Sequence, residues 1–596
     1  MRLPRIVIAA PKSGSGKTLV SLALMKTFSN AGKKVAAFKC GPDYIDPLFH
    51  KKILGVPSKN LDLFFTDADT TRALFCDGNE SDISIIEGVM GLFDGVAGYT
   101  DEASTYQLAS VLESPVILVV NAKGAGRSVV AEIKGFVALD EKRLIKGVIL
   151  NNLPESLYDA LKPQIETKCG VSVLGFVPTM KELNVESRYL GLTLPDEIAD
   201  IKNAVTKAAE AICESVSVEK ILEFAESAPN FAACCETGVP DLAQCTPKSA
   251  PDLASGAHTN PSAPSDVPRV RIAVARDEAF CFYYDDNLKL LERFGAELVS
   301  FSPVADSDLP PGIDGLLLGG GYPELHAVKL EQNVSLRRAV KDALESGMPS
   351  VAECGGFMYL HESLQTEDGV FHNMVGTIKG ECSYKGRAVR FGYCTVTENT
   401  GAFFGAEAAA PSSDCATSHP TGEAAARLET QASDCAPDNA CTSECSVKAH
   451  EFHYFDSTCN GESCTAEKPV TGRSWQCCHT GENHWWGFPH LYYPSNPRFA
   501  ELFVEKCRAY RKSRPKNYKF FQNRACEMFP CHKTDDPENF NCLFCFCPLY
   551  LSGEKCGGNF HYTEKGAKSC INCTFPHKKE NYDALMAKLR AILKKD

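Results

Sequence analysis

Residues 350–360 read SVAECGGFMYL. The apolar run before Cys354 reads as a strand, Gly355 and Gly356 as a tight turn, and FMYL as the start of a helix. A thiol on such a turn sits at the edge of an α/β sheet, beside the amide groups of a helix N-terminus. Those amides favour a thiolate and can bind an oxyanion. A cysteine simply buried at a packed turn has the same local pattern. The rest of the chain has to separate the two readings, because a thiolate nucleophile also needs a base and a pocket that polarises a carbonyl.

The pocket lies one strand–helix unit upstream. IDGLLLGGGYPELHA (313–327) is an apolar strand ending in three glycines. Such a loop brings bare backbone N–H groups into a site, and Gly320 and Gly321 are the candidate oxyanion donors. HAVKLEQNVSLRRAVKDALESG reads as the helix that returns the chain to Cys354. The base must be a distant histidine. KAHEFHY (448–454) offers His450 and His453, and WWGFPHLYYPSNP (485–497) offers His490. The residues alone leave that choice open.

A chain of 596 residues is too long for one core, so several domains are expected. Its net charge of −13 argues against non-specific nucleic-acid binding. MRLPRIVIAAPKSG lacks the apolar core of a signal peptide, and no apolar run approaches the ~18 residues needed to span a bilayer. A cytoplasmic protein without membrane partners is expected. In that compartment the 28 cysteines read as thiols or metal ligands and not as a disulfide framework.

The front of the chain carries a nucleotide site. RIVIAA (5–10) is a buried strand, PKSGSGKT follows, and LVSLALMKTF continues as a helix. Gly14 and Gly16 let the backbone close around phosphate oxygens. Lys17 supplies positive charge, and the Thr18 hydroxyl can ligate Mg²⁺. Pro11 replaces the first glycine of the strict motif, so the match is to a variant. VAAFKCGPDYIDPLFH (35–50) places Asp43, Tyr44 and Asp46 after a strand, where two acids suit Mg²⁺ or a substrate; an Asx turn capping the next helix is the alternative. ISIIEGVMGLFDG (83–95) repeats the logic, with Glu87 as a metal ligand and Asp94 in a glycine-flanked loop. The further strands 114–122, 146–153 and 171–178 alternate with helices and predict a parallel sheet covered on both faces. Asn151, just past one of them, has an amide suited to a purine edge or to a turn.

In order, the phosphate loop, GPDYIDPLFH, EGVMGLFDG, GVILN and ESRYLGL (186–192) resemble the cobyrinic acid a,c-diamide synthases. The resemblance implies an N-terminal domain similar to dethiobiotin synthetase, ATP and Mg²⁺ as cofactors, and Asp43, Asp46, Glu87 and Asp94 at the junction of ATP and substrate. The stretch RDEAFCFYY (276–284), GGGYPE, AECGGFMYL and RFGY (390–393) resemble the class I glutamine amidotransferases of the same branch. In that branch a strand ending in histidine before a Ser-Asn-Pro turn carries the base, which assigns His490 and keeps His453 as the fallback. Tyr492 stands where ordinary triads have an acid, so what orients His490 is left open.

The expected organisation is an ATP-binding domain over 1–228, a Pro/Ala/Ser-rich linker over 229–267 and an amidotransferase domain over 268–513. Residues 402–447 and 457–483 depart from the family pattern and read as disordered insertions, with metal binding by Cys477 and Cys478 as the alternative. A cysteine-rich module spans 516–596. Its eight cysteines, Cys526, Cys531, Cys542, Cys545, Cys547, Cys556, Cys570 and Cys573, suit two Zn²⁺ sites or an Fe–S cluster, and few apolar residues are available for a core.

The resemblance implies amidation of the a and c acetate carboxylates of cobyrinic acid. ATP activates the carboxylate as an acyl phosphate, and glutamine supplies ammonia. The same chemistry on hydrogenobyrinic acid or nickel-sirohydrochlorin, a cobyric acid synthase, and a regulatory P-loop ATPase are the competing readings. Glutamine and a corrinoid or related tetrapyrrole are the expected partners, without nucleic acid, and a homodimer is considered.

Overall fold

The computed structural model describes residues 2–179, 201–231, 269–405, 444–514 and 519–593. The ESRYLGL segment, Cys234 and Cys235, most of the linker and most of the 402–447 insertion lie outside the described residues.

The chain divides into two compact units, Met1–Tyr510 and Arg511–Asp596. The first unit opens with a parallel sheet. Its strands are β1 (Arg5–Ala9), β2 (Val35–Cys40), β3 (Ser58–Leu61), β4 (Ile83–Glu87), β5 (Val116–Asn121), β6 (Ile145–Asn151) and β7 (Ser172–Val177). Among the described residues they lie in the order β3-β2-β4-β1-β5-β6-β7. β1 and β4 are buried along their whole length, as continuous apolar runs require when both faces are covered by helices. The carboxyl ends of β1, β2 and β4 point into one crevice, the usual ligand position in such sheets. At the opposite end Arg5 is buried. It donates to the carbonyls of Leu112 and Pro229 and lies 4.1 Å from the Phe231 ring centroid, so the first residues of the expected linker are packed.

The second sheet of this unit contains β8 (Val270–Ala275), β9 (Ala296–Phe301), β10 (Gly315–Leu318) and β11 (Ser350–Glu353), with strand His484–Gly487 running parallel to β11. Cys354 directly follows β11. The segment before it is two helices, Ala327–Gln332 and Val334–Glu345, broken at Asn333, whose side chain caps the second.

An antiparallel sheet lies across the chain's middle, in the order Ser474–Cys477, Cys464–Glu467, Arg390–Glu398, Ser446–His453 and His490–Leu491. It corrects the expectation of disorder over 457–483. Within these four-residue strands Cys464, Ala466 and Cys477 are buried while Thr465, Glu467 and Gln476 are not, a period-two pattern. Cysteine acts there as a small hydrophobe, and the composition hides the strand. The 402–447 boundaries also shift, since Ser446 and Val447 already belong to a strand. Cys477 and Cys478 lie in the core, their sulfurs 3.6 Å apart.

The first parallel sheet and the antiparallel sheet are joined through the loop after β3. Tyr393 donates to Asp62 at 2.8 Å, Lys448 to the Phe64 carbonyl at 2.6 Å, and Phe65 stacks on Tyr492 at 4.8 Å. The second unit has a small core around Leu549, Cys556 and Leu585, the last on the terminal helix Tyr582–Leu593.

Candidate active site

Gly16 precedes the helix Lys17–Asn30 with φ +95°, and a β-carbon there would meet Asn151 Nδ2 at 2.2 Å. The bare turn is therefore required by a close approach. Asn151 donates from Nδ2 to the Ser15 carbonyl at 2.9 Å and accepts from the Asn152 amide at 3.0 Å. Its side chain fastens the phosphate loop, so of the two sequence readings the turn role is the one these bonds describe.

Lys17 Nζ donates to the Met90 carbonyl, and the Thr18 hydroxyl donates to Glu87 Oε1 at 2.6 Å. Glu87 is fully buried. It also meets Lys39 at 3.2 Å and His50 Nε2 at 3.3 Å, and Lys39 pairs with Asp46. Burial pushes Glu87 up, but Lys39, His50 and Thr18 together hold it well below the usual carboxylate range. Asp46 goes the other way, raised by burial and by Glu87. Burial and the neighbouring Lys39 lower Lys17 to about 8. Thr18, Asp46 and Glu87 form a set of hard oxygen donors beside a phosphate cradle, which fits Mg²⁺. Asp43 accepts from the Ile45 amide at 2.8 Å, the Asx turn considered from the sequence. Asp94 accepts from the Gly91 amide at 2.8 Å, and its charge is among those acting on Lys17. Sequence reasoning missed Lys39. A single charge in the apolar strand VAAFKC was the signal available for it.

Cys354 has φ +44° and ψ −103°, a conformation non-glycine residues rarely adopt. Its amide donates to the Gly487 carbonyl at 2.9 Å, and Gly356 donates to the Gly319 carbonyl at 2.9 Å. The glycine loop and the nucleophile turn are thereby locked together. A β-carbon at Gly355 would stand 3.0 Å from the Gly321 amide nitrogen, and one at Gly320 would stand 2.3 Å from His490 Cε1. The glycine loop thus lies beside the Cys354 turn at Gly321 and beside His490 at Gly320, although Cys354 and His490 are far apart in sequence.

His490 is buried, and its Nδ1 has no hydrogen-bond partner among the described residues. Its ring stacks on His450 at 5.0 Å. Burial, then His450 and His453, push it well below its ordinary pKa, while burial, Glu324 and Glu451 push the Cys354 thiol well up. The pair therefore rests as neutral imidazole and thiol, a state from which the imidazole can take the proton. Glu353 accepts from Tyr493 Oη at 3.1 Å, and its bond to the Leu491 amide fixes the strand that carries His490. Glu353 thus holds the strand of His490, while the ring itself has no acid bonded to it among the described residues.

Tyr44 is turned away from the phosphate loop. It stacks on Phe282 at 5.2 Å and meets the His490 ring at 5.1 Å. Tyr284 donates to the Pro42 carbonyl at 3.0 Å and meets His450 Nδ1 at 3.0 Å. One turn, residues 42–46, therefore touches the histidine of one site and supplies an acid to the other.

In the C-terminal unit the ligand atoms of Cys531, His532 and His577 lie within 4.8 Å of one another. His532 and His577 also line a cavity there, together with Cys545, Cys547, Cys556, Cys570 and Cys573. His532 and His577 are also the histidines that the sequence sets around the two Cys-x-x-Cys pairs, Cys542–Cys545 and Cys570–Cys573.

Three family profiles match. A CobQ/CobB/MinD/ParA nucleotide binding domain covers 6–190, a CobB/CobQ-like glutamine amidotransferase domain covers 271–476, and a cysteine-rich small domain covers 517–596. Among curated relatives, the cobyrinate a,c-diamide synthase of Priestia megaterium is 34% identical over 514 residues, 86% of this chain and 98% of its own length. That of Picrophilus torridus is 33% identical over 85% of this chain and 99% of its own. That of Clostridium acetobutylicum is 40% identical over 66% and 82%. The nucleotide crevice, the strained thiol turn and these near-full-length matches lead to one assignment: the chain belongs to the cobyrinate a,c-diamide synthase family of glutamine-dependent amidating ligases.

Proposed function

We propose that the chain converts the a and c acetate carboxylates of cobyrinic acid to amides, with glutamine as nitrogen donor and ATP as activator. The observation that carries this reading is the 42–46 turn, which brings Tyr44 against His490 while Asp46 faces Lys39 and Glu87 at the phosphate loop. Nitrogen released at Cys354 then has a short route to the activated carboxylate.

In the proposed reaction a substrate carboxylate attacks the γ-phosphorus of ATP and ADP leaves, giving an acyl phosphate. Lys17 and the loop amides offset charge on the phosphates. Mg²⁺, held by Thr18, Asp46 and Glu87, supplies further charge neutralisation when bound. In the second site Cys354 attacks the glutamine side-chain carbonyl while His490 takes the thiol proton, and the Gly320–Gly321 amides receive the oxyanion. His490 returns the proton to the departing ammonia, and water later frees glutamate from the thioester. Ammonia attacks the acyl phosphate and phosphate leaves. Enclosure by the Tyr44, Phe282 and Tyr284 rings protects both labile species from water. In the C-terminal unit a sulfur and nitrogen donor set favours Zn²⁺.

The test is amide formation from glutamine and ATP–Mg²⁺ on a panel of cobalt, metal-free and nickel tetrapyrroles, read as a single mass unit lost per amide. Cobyrinic acid should be used in preference, and activity confined to another tetrapyrrole rejects the assigned substrate. Cys354→Ala should lose glutamine use and keep ammonia use; loss of both would make Cys354 a structural residue.

A further inference from the structure

The cysteine-rich unit presents its ligands in two different geometries. Cys531, His532 and His577 are compact, with ligand atoms within 4.8 Å of one another. His532 Nδ1 lies 2.9 Å from the Ile571 carbonyl oxygen, and His577 Nδ1 lies 2.9 Å from that of Asn541. Both nitrogens therefore donate, and each neutral ring keeps a lone pair on Nε2. A backbone carbonyl holding the far nitrogen of an imidazole is the usual support of a metal-bound histidine. This set suits a single Zn²⁺ ion.

Cys547, Cys556, Cys570 and Cys573 are arranged otherwise. They line a cavity of about 170 Å³. Among the described residues, no three of their sulfurs come within 4.8 Å of one another. A tetrahedral Zn²⁺ with bonds of about 2.3 Å holds its sulfurs only about 3.8 Å apart, and a lone ion needs no more room than a water molecule, about 30 Å³. Four thiols spread round a space several times larger match a group that bonds each sulfur at a different point. An iron–sulfur cluster is such a group, and four cysteines are its usual ligands. Cys545 lines the cavity too but is exposed, whereas Cys556 and Cys573 are buried.

The wall supplies what such a cluster needs. Four thiolates leave it negatively charged, and hydrogen bonds and cations at the sulfurs offset that charge. The Gly558 amide donates to Cys556 Sγ at 3.5 Å, and Lys568 Nζ donates to the same sulfur at 3.2 Å. Lys588 donates to the Cys556 carbonyl at 3.0 Å. Gly558 has no room for a side chain, since a β-carbon there would stand 2.8 Å from Cys573 Sγ. Leu549, Phe560 and Phe575 add apolar surface that limits the access of water.

We propose that Cys547, Cys556, Cys570 and Cys573 hold an iron–sulfur cluster, separate from a Zn²⁺ ion at Cys531, His532 and His577. The choice between zinc and iron–sulfur, open in the cysteine pattern, is thereby answered differently at two places in one unit. Zn²⁺ stays with the donor set that contains nitrogen, and the cluster takes the set that is sulfur alone. The inference is independent of the amidation chemistry. Lys568 gives the cluster a further property. Its cation favours the form that has gained an electron, so it raises the reduction potential.

For the test, full-length protein is loaded with ferrous iron, sulfide and limiting Zn²⁺ in the absence of oxygen, and iron, acid-labile sulfide and zinc are counted per chain. Iron and sulfide should be retained in equal number beside a single zinc, with a broad visible absorption that dithionite bleaches. Cys556→Ala and Cys573→Ala should lose most of the iron and sulfide and keep the zinc, which shows that the unit is still folded. His577→Ala should do the reverse. Lys568→Met should keep both metals and take up its electron at a more negative potential in a spectroelectrochemical titration. Zinc bound at a second place with no sulfide retained overturns the cluster, as do iron and sulfide that survive both alanine substitutions. An unchanged potential in Lys568→Met overturns the part given to that lysine. None of these readouts uses glutamine or ATP, so failure of the cluster is told apart from failure of the amidation reading.

Discussion

Gly320 has room for a hydrogen and nothing more. A methyl group there would overlap His490 Cε1, placed 2.3 Å from the added carbon, so the imidazole would have to leave its position. Gly320→Ala should reduce glutaminase turnover by about a hundredfold, the usual cost of misplacing a reacting group by about an ångström. Ammonia-dependent amidation, measured on the same sample, should persist. Lys17 permits a second prediction. Burial lowers its pKa to about 8, so on the way up in pH it loses its proton well before an ordinary lysine. Phosphates bind the charged form, so nucleotide affinity measured by calorimetry should hold up to pH 8 and weaken by about tenfold per unit above it. Binding in that range should take up a proton. The residues on which these predictions stand were unequally visible beforehand. Gly16, Lys17 and Thr18 are contiguous and announce themselves by spacing. His490 reaches Gly320 across 170 positions of sequence, on a strand paired with Ser446–His453, which no local pattern records.

The element that most clearly joins chemistry to architecture is the loop after β3. Asp62, Phe64 and Phe65 reach from the parallel sheet to the antiparallel one through Tyr393, Lys448 and Tyr492. Phe65 is fully buried, so Phe65→Ala should cost about 3–5 kcal/mol by leaving a cavity. Denaturant unfolding followed by near-ultraviolet spectra should show the first unit melting in two steps where the unaltered protein melts in one. Glutamate released per amide formed should then rise above one, because ammonia escapes through a loosened seam. Six strands of the first parallel sheet were legible as apolar runs, whereas β3, SKNL, carries one apolar residue and gave no such signal. The strands at 464–467 and 474–477 were not legible either, because each is four residues long and its buried positions are cysteine and alanine. A composition read as low complexity was in fact alternation on a half-buried surface.

At the scale of the whole molecule, two units with separate cores imply two separable stabilities. The C-terminal unit has few buried apolar side chains, and five of its cysteines line one cavity with His532 and His577. Chelation should therefore abolish the order of residues beyond Arg511 and leave glutaminase activity and the unfolding midpoint of Met1–Tyr510 where they were. Proteolysis after chelator treatment, followed by mass spectrometry of the surviving fragment, would show it; loss of glutaminase activity on chelation would make the module part of the working enzyme. The first unit has an architectural property of its own, which begins at Arg5. One guanidinium clasps the head of the opening strand to the carbonyl of Pro229, so the nucleotide-binding block starts and finishes at the same place. A block closed in this way is a cassette. It can be spliced to another nitrogen donor, or made as its own polypeptide and reassembled, without cutting a single strand of its sheet.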